Sequence, residues 1–229
     1  MILVINLDDR LSAIADLLGK RQTVADIGTD HGLLGAHLLL SGQCEHVQFL
    51  DVSADSLSKA RELVEKAGLS ERSSFSVGDG THAMTGAADG VVIAGMGGQL
   101  IADIIGAGLD RLSGARLVLQ PNVAQMELRT RLVNSGFAIV DERLVKAGRR
   151  YYIVIAAVAG AACYSPEELL IGPVLLRDKP KLLHEYAKRQ LRIAQKAVAG
   201  ARQGNAIWLD QLEFEWRTWE AFIDEAEGI

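Results

Sequence analysis

Cysteine is scarce in this sequence: two residues in 229, Cys44 and Cys163, neither with a CxxC or CxH neighbour. That excludes a disulfide framework and a thiolate zinc site, and no metal site is expected. Both cysteines are expected to be small buried apolar side chains. No run of 18 apolar residues is present, so no membrane span is expected. The start, Met1–Arg10, has an apolar run but neither a basic n-region nor a small-residue cleavage site, which predicts a cytoplasmic protein. Internal repeats and low-complexity tracts are missing too. So is a positive net charge: the chain carries −5 with a pI near 5.6, which taken alone speaks against a nucleic-acid binder. What is present is ordinary globular material, 49% hydrophobic and 23% charged, which excludes disordered and collagen-like classes. A chain this long buries about 70–75% of its unfolded surface, enough for one domain or one domain with an appendage.

The charge is unevenly placed. Residues 177–202 hold eight Lys and Arg against Asp178 and Glu185, a local +6. Residues 203–229 hold seven acids against Arg217, a local −6. From residue 23 to about 158, short apolar runs alternate with longer helical patterns, as in a parallel α/β sheet. Strands are expected at Thr23–Gly28, His46–Val52, Ser73–Gly78, Gly90–Gly95 and Arg116–Gln120. Helices are expected at Gly32–Leu40, Ala54–Ala67, Gln99–Leu112 and Ala124–Ser135, with little helix in Thr81–Asp89. Arg10–Leu18 predicts a short amphipathic helix over the sheet. Phe137–Val145 and Tyr151–Val158 follow each other with only Lys146–Arg150 between, which predicts an antiparallel hairpin at the sheet's end. Five crossover strands closed by a hairpin make a class I, Rossmann-like methyltransferase fold; an ordinary dinucleotide-binding domain lacks that hairpin.

Gly160–Pro166, with small residues and a helix-stopping proline, marks a boundary between domains 1–160 and 161–229. Beyond it, Leu183, Ala187, Leu191, Ala194, Val198 and Ala201 recur at threes and fours within Lys181–Arg202. Gln203–Asn205 reads as a turn. Leu209, Leu212, Trp216, Trp219, Ile223 and Ala226 then form a heptad seam. An antiparallel helical hairpin, a coiled coil, is predicted.

The residues with chemistry lie at the strand ends. Val24–Gly32 reads VADIGTDHG at the turn from the first strand into its helix, the switch point of a doubly wound sheet. Gly28 permits close backbone approach to a ligand, and Asp26 could hold a cationic amino group. Asp30 and His31 stand where a pyrophosphate loop needs small residues. Phosphates would meet Asp26 and Asp30 unfavourably, whereas a cofactor with an ammonium and a sulfonium would not. The plainer reading is a tight turn with Asp30 capping the next helix. Asp51 ends the second strand, with Val52 after it, where an acid accepts ribose hydroxyls in NAD and S-adenosylmethionine proteins alike. Gly78-Asp79-Gly80 ends the third strand and suits an adenine amino group beside bare backbone, or a plain turn. After the fourth strand, Gly95, Met96, Gly97 and Gly98 leave room for a flat base or a cofactor, or Gly97 and Gly98 open a helix as plain packing. Asn122 closes Leu119-Gln-Pro-Asn122 at the same rim, as a helix cap or a substrate contact.

Together, DIGTDHG, GDG, AGMGG and LQPN resemble the bacterial tRNA (adenine(22)-N(1))-methyltransferases, the TrmK family. The likeness extends over nearly the whole chain, through Tyr151-Tyr152, Leu170-Ile-Gly-Pro173 and the helical tail; AGMGG followed by LQPN is specific. The resemblance implies S-adenosyl-L-methionine as donor, tRNA as substrate and a Rossmann-like catalytic domain with a coiled-coil appendage. It carries Asp26, Gly28, Asp30, His31, Asp51, Asp79, Gly95, Met96, Gly97 and Gly98 to the cofactor rim. After the Asp-His pair this chain has Gly32-Leu-Leu-Gly35, where members often carry an aromatic residue and a proline.

Adenine N1 is a neutral nucleophile with an in-plane lone pair, so its methylation needs alignment and water exclusion more than a strong base. The product ring is cationic, and nearby carboxylates or carbonyls favour it. Enzymes that methylate an exocyclic amine typically carry (N/D)PP(Y/F) after the fourth strand; AGMGG stands there instead, which points away from N6. Asp30 and then Asn122 are the catalytic candidates beside the base. Arg143, Lys146, Arg149 and Arg150 on the hairpin, with Lys188, Arg189 and Arg192 on the basic helix, are the candidate RNA contacts. The alternative is that the +6 and −6 helices only pair with each other. Tyr151 or Tyr152 could stack on an unpaired base while the other faces the core. The expected partner is tRNA, with neither membrane nor DNA, and the expected state is a monomer. Two other readings stay open: a class I methyltransferase for a small molecule or another RNA, and a non-catalytic Rossmann-like scaffold.

Overall fold

The structure, a computed structural model, describes residues 5–204 and 207–228. The first four residues of the N-terminal apolar run, and Asn205 of the expected turn, lie outside them. Two compact units make up the chain, Met1–Tyr164 and Ser165–Ile229.

In the first unit, β1 (Thr23–Ile27), β2 (His46–Asp51), β3 (Ser73–Val77), β4 (Gly90–Met96), β5 (Arg116–Pro121), β6 (Phe137–Ala147) and β7 (Arg150–Ala159) form one sheet. The order is β3-β2-β1-β4-β5-β7-β6, with β1 to β5 parallel and β7 antiparallel to both neighbours. This is the Rossmann-like methyltransferase arrangement with its terminal hairpin. The helices are α1 (Asp9–Leu18), α2 (Leu33–Leu40), α3 (Ala54–Lys66), α4 (Gly98–Gly106), α5 (Leu109–Leu112) and α6 (Gln125–Asn134).

Asp8 starts α1 by accepting the Leu11 N–H at 2.7 Å. The apolar stripe of α1, Ile14, Leu17 and Leu18, is buried in one cluster with Leu38 of α2 and Val64 of α3. Val24, Val47, Val92 and Val118 of the strands complete that cluster. Each such side chain contributes about 1.5–3 kcal/mol on burial, so this layer fixes α1 on the sheet and α1 in turn positions Arg10. On the other face Ile101 and Ile105 of α4 and Leu128 and Leu132 of α6 are buried. The central strands read as continuous apolar runs because both faces are covered.

The expected single helix Gln99–Leu112 is two. The chain breaks at Ala107-Gly108 because Gly108 sits against the Thr81 side chain, and Gly106-Ala-Gly108 is a weak helix former. The Thr81–Asp89 link holds one 3-10 turn at Gly80–Ala83. The hairpin strands run closer together than expected, leaving a two-residue turn with Gly148 at φ +59°. Cys44 is buried, and burial pushes its thiol up to about 12. Cys163 is exposed, against expectation, because it lies in the coil between β7 and the next helix.

The second unit holds α7 (Pro166–Ile171), α8 (Pro173–Asp178), α9 (Lys181–Gly204) and α10 (Leu209–Glu227). Pro166, read as a helix stop, instead opens α7 behind a Ser165–Glu168 capping box, a position where its missing N–H costs nothing. Gln203 and Gly204 of the expected turn close α9. Helices α9 and α10 are antiparallel, as Arg202–Glu213 at 2.7 Å and Lys188–Glu227 at 2.6 Å require. Leu183, Ala187, Ala194 and Val198 of α9 and Trp219 and Ile223 of α10 are buried, and Tyr186 meets Trp219 edge-on at 5.8 Å. Phe222 is buried while Ala226 is exposed. An α-helix drifts by roughly 20° per heptad against a strict seven-residue repeat, which moves the buried stripe off the expected seam. No helix among the described residues is long and apolar enough to cross a membrane.

Candidate active site

Strand β1 lies between β2 and β4, so the winding direction reverses at its carboxyl end. A cavity of about 450 Å³ opens there, within the range of small-ligand sites. Among the residues expected at a cofactor rim, Asp26, Gly28, Asp30, His31, Asp51, Val52, Gly78, Asp79, Gly80, Gly95 and Met96 line it.

Asp26 is only 5% exposed, and its Oδ2 accepts the Thr29 hydroxyl at 2.6 Å. Burial pushes the carboxyl up, the Thr29 hydroxyl draws it back and the Asp51 charge raises it again, leaving it at about 6. A cation beside it would favour the charged form, so this corner suits a positive group. Asp30 has φ +52° and is exposed, with His31 Nε2 3.6 Å from its carboxylate. It does not cap the next helix: α2 begins at Leu33, with Gly32 as cap residue and no side-chain bond. The Asp30 N–H points instead at Asp51 Oδ2, 3.3 Å away, and Asp51 Oδ1 accepts the Ser53 N–H at 2.8 Å. Backbone donors on both sides thus hold the Asp51 carboxylate at the rim. Asp79 is exposed at the end of β3. Leu33, Val52 and Leu100 stand exposed around the mouth, apolar walls suited to a flat ring.

At the end of β4 the Met96 side chain comes close to the turn after β1. A Cβ on Gly28 would run into the methyl of Met96, and Gly28 has φ +76°. Gly95 has φ +79°, and the atom nearest to where its Cβ would stand is Arg10 Nη1 at 3.9 Å. Gly97 and Gly98, expected at the rim, do not line the cavity. The Gly98 N–H donates to Val123 O at 2.9 Å, and a Cβ there would collide with the Ala124 carbonyl. Close packing between the start of α4 and the β5–α6 loop accounts for that glycine.

Asn122 does not line the cavity either, and α6 begins at Gln125 with no side-chain cap. Its Nδ2–H donates to Gly95 O at 2.7 Å, while its Oδ1 accepts from Gln120 Nε2 at 3.1 Å. The buried Gln120 offers its Oε1 to Arg10 Nη1 at 2.9 Å. A chain of hydrogen bonds therefore runs from Arg10 through Gln120 and Asn122 to the Gly95 carbonyl. Sequence reasoning missed Arg10, Thr29, Leu33, Leu100 and Ile104 as cavity residues. Thr29, three residues after Asp26, carried a local signal as its hydroxyl partner. Arg10 carried none, because its partner Gln120 is 110 residues away.

The basic hairpin residues divide between faces, because strand side chains alternate. Arg143 and Arg150 share one face, with Arg143 3.8 Å from Asp141. Lys146 lies on the other, 5.3 Å from the Tyr151 ring, and Arg149 sits in the turn. All four are exposed. Both tyrosines are half-buried, so neither is core; Tyr152 faces the Arg10 guanidinium at 5.8 Å. On α9, Lys188, Arg189 and Arg192 are exposed. Lys188 pairs with Glu227, whereas Arg192 donates to the Lys188 carbonyl at 3.1 Å and has no acidic partner among the described residues. Among the described residues no group of three or more His, Cys, Asp or Glu is placed to hold a metal ion.

Residues 7–155 match the family described as a methyltransferase domain. The tRNA (adenine(22)-N(1))-methyltransferase of Bacillus subtilis (strain 168) is 35% identical over 199 residues, covering 83% of this chain and 84% of the relative. The crystal structure of the B. subtilis m1A22 tRNA methyltransferase TrmK superposes with a TM-score of 0.88 at 29% identity, covering 96% of this chain and 100% of that one. A Streptococcus pneumoniae structure, titled as a complex with S-adenosyl-L-methionine, superposes with a TM-score of 0.86 at 25% identity, covering 95% and 100%.

Proposed function

The chain belongs to the tRNA (adenine(22)-N(1))-methyltransferase family, and from that premise we propose that it methylates N1 of adenine 22 in tRNA with S-adenosyl-L-methionine as donor. The observation that carries the reading is the cavity at the ends of β1 to β4, lined by four acids and bare at Gly95. Its residues fit the donor group by group. Asp26 stands where an ammonium would satisfy a buried carboxyl, Asp51 offers oxygens to ribose hydroxyls, and Asp79 offers one to an adenine amino group. Val52 and Leu100 present apolar surface to the ring.

The bound donor supplies a methyl group on a sulfonium. What the protein contributes is alignment, water exclusion and charge. The stretch Gly95-Met96-Gly97 in place of an amine-methylating PPY-type motif supports a ring nitrogen as acceptor. Asp30, exposed at the same mouth, is the carboxylate that would favour the cationic product ring. Asn122 acts one step back by holding the Gly95 carbonyl in place. The hairpin cations and the α9 stripe of Lys188, Arg189 and Arg192 supply phosphate contacts, and α9 with α10 is the coiled-coil appendage. The cavity is complete within one chain, which supports a monomer, and a tRNA substrate supports a cytoplasmic enzyme without membrane or DNA partners. Primer extension on tRNA treated with protein and donor tests the position. A stop opposite residue 22, absent when adenine 22 is replaced by guanine, is the expected result; an unchanged stop in the guanine variant contradicts it.

A further inference from the structure

We propose that Trp208, at the end of the helical hairpin, stacks on an unpaired nucleobase of the tRNA, an inference that rests on the tRNA reading above and adds a contact to it. The chain has three tryptophans, all in the hairpin. Trp219 is buried against Tyr186, and Trp216 is half-buried beside Arg202. Trp208, in the turn ahead of α10, is 62% exposed, and its neighbour Ile207 is 96% exposed. The Trp208 ring meets no other ring or cation among the described residues. Packing therefore does not account for this indole.

Helix formation does not account for it either. Trp208 is the cap residue of α10, and its side chain makes no capping hydrogen bond. A serine or asparagine at that position would accept a helix N–H, a gain that the sequence forgoes for an exposed indole. A local rule broken at the surface with no structural return points to a contact outside the chain.

The surroundings select a nucleic acid. On α9, Arg192 and Lys196 are exposed about one turn apart, and neither has an acidic partner among the described residues. Lys196 lies about 12 Å along the axis from the end of α9 at Gly204. Glu213 of α10 is taken by Arg202 and Arg217, and the acid in the first turn of α10, Asp210, sits where the helix dipole favours it. Two cations without counter-charges, leading to an exposed ring, are the parts of a single-strand site: phosphates on the cations and a base on the ring. A second protein fits poorly. Trp208 offers about 150–250 Å², and even with Ile207 beside it that falls short of the roughly 800 Å² per partner of a stable protein interface. A base needs one ring.

Trp208→Ser in the full chain removes the ring and supplies a helix cap, so stability and RNA contact should move in opposite directions. Its melting temperature is expected to equal or exceed that of wild type. Its affinity for unmodified tRNA, measured by fluorescence anisotropy, is expected to fall about 5- to 150-fold, the range for loss of one stacked base. Trp208→Phe, which keeps a ring, should bind clearly better than the serine variant. Stacking releases no counterions, so the log–log salt slope of Trp208→Ser should match wild type, whereas Lys196→Gln should be shallower by about 0.9 or less. Abasic nucleotides placed one at a time in the tRNA loops identify the base: one replacement should weaken wild type and leave Trp208→Ser unaffected. Wild-type tRNA affinity in Trp208→Ser, or a phenylalanine variant as weak as the serine one, overturns the inference. So does a wild-type dimer that Trp208→Ser converts to a monomer with tRNA affinity retained, which makes the hairpin end a contact between copies. Each of these leaves the methyltransferase reading standing. A wild-type protein that binds S-adenosyl-L-homocysteine and no tRNA removes the tRNA reading itself, and the inference with it.

Discussion

Asn122 reaches from beyond the end of β5 to the Gly95 carbonyl near the end of β4 and donates to it at 2.7 Å. The bond ties two neighbouring strand ends at the edge of the cavity, and a second bond from Gln120 orients the donor. Removing it with Asn122→Ala should cost about 0.5–1.5 kcal/mol in kcat/KM, roughly two- to ten-fold. Asn122→Asp should cost more, because it sets a carboxylate against a carbonyl. Steady-state methylation of tRNA by the three proteins checks the order; equal rates would show that the Gly95 carbonyl needs no anchor.

At the opposite wall, Asp51 is prepared by two backbone N–H groups, from Asp30 and Ser53. Asp51→Ala is expected to weaken binding of S-adenosyl-L-homocysteine by about 1–3 kcal/mol, the loss of hydrogen bonds to a charged acceptor. Gly28→Ala should lose comparable affinity by another route, since its methyl meets Met96 at a positive φ. Calorimetry on both variants checks this; unaltered affinity in Asp51→Ala would place the ribose elsewhere.

Much of this wall was legible in the sequence. Asp26, Gly28, Asp51 and Asp79 stand at strand ends, and apolar runs locate strand ends well. The terminal hairpin was legible for the same reason, as two apolar runs with too few residues between them for a helix. Arg10 and Gln120 were not: their contact depends on how α1 crosses the sheet, and nothing local in the sequence encodes it. Gly98 misled, because a glycine that avoids the Ala124 carbonyl looks in sequence like one that admits a ligand. The division of Arg143 and Lys146 between faces follows from strand alternation once the strand is known to continue to Ala147.

Asp26 gives the unliganded protein a pH dependence. Its native carboxyl is at about 6, against 3.8 for an ordinary aspartate. Between those values the native state keeps a proton that the unfolded chain has released, so this group's stabilising contribution is lost as pH rises from about 4 to 6. The loss is on the order of 3 kcal/mol. Asp26→Asn removes it. Urea unfolding without ligand should show variant and wild type similar below pH 4 and the variant more stable at pH 7. A gap independent of pH would mean that Asp26 is hydrated in solution.

Charge reversal at Lys188, Arg189 and Arg192 in the full chain should lower tRNA affinity while leaving cofactor affinity and helicity unchanged. Each lost phosphate contact should make the log–log salt slope shallower by about 0.9 or less. Exposed ion pairs such as Lys188–Glu227 hold little in water, and the buried Trp219 and Ile223 keep the helices together. Unchanged tRNA affinity and salt slope would leave the stripe as a partner for α10 alone.

The central claim is a chemical one: this cavity delivers a methyl group to a ring nitrogen of adenine. Mass spectrometry of nucleosides from unmodified tRNA, incubated with the purified protein and S-adenosyl-L-methionine, measures it directly. The account predicts 1-methyladenosine from wild type and a strongly reduced yield from Asp51→Ala. N6-methyladenosine as the product, or no methylated adenosine from a wild-type protein that binds the donor, would contradict it.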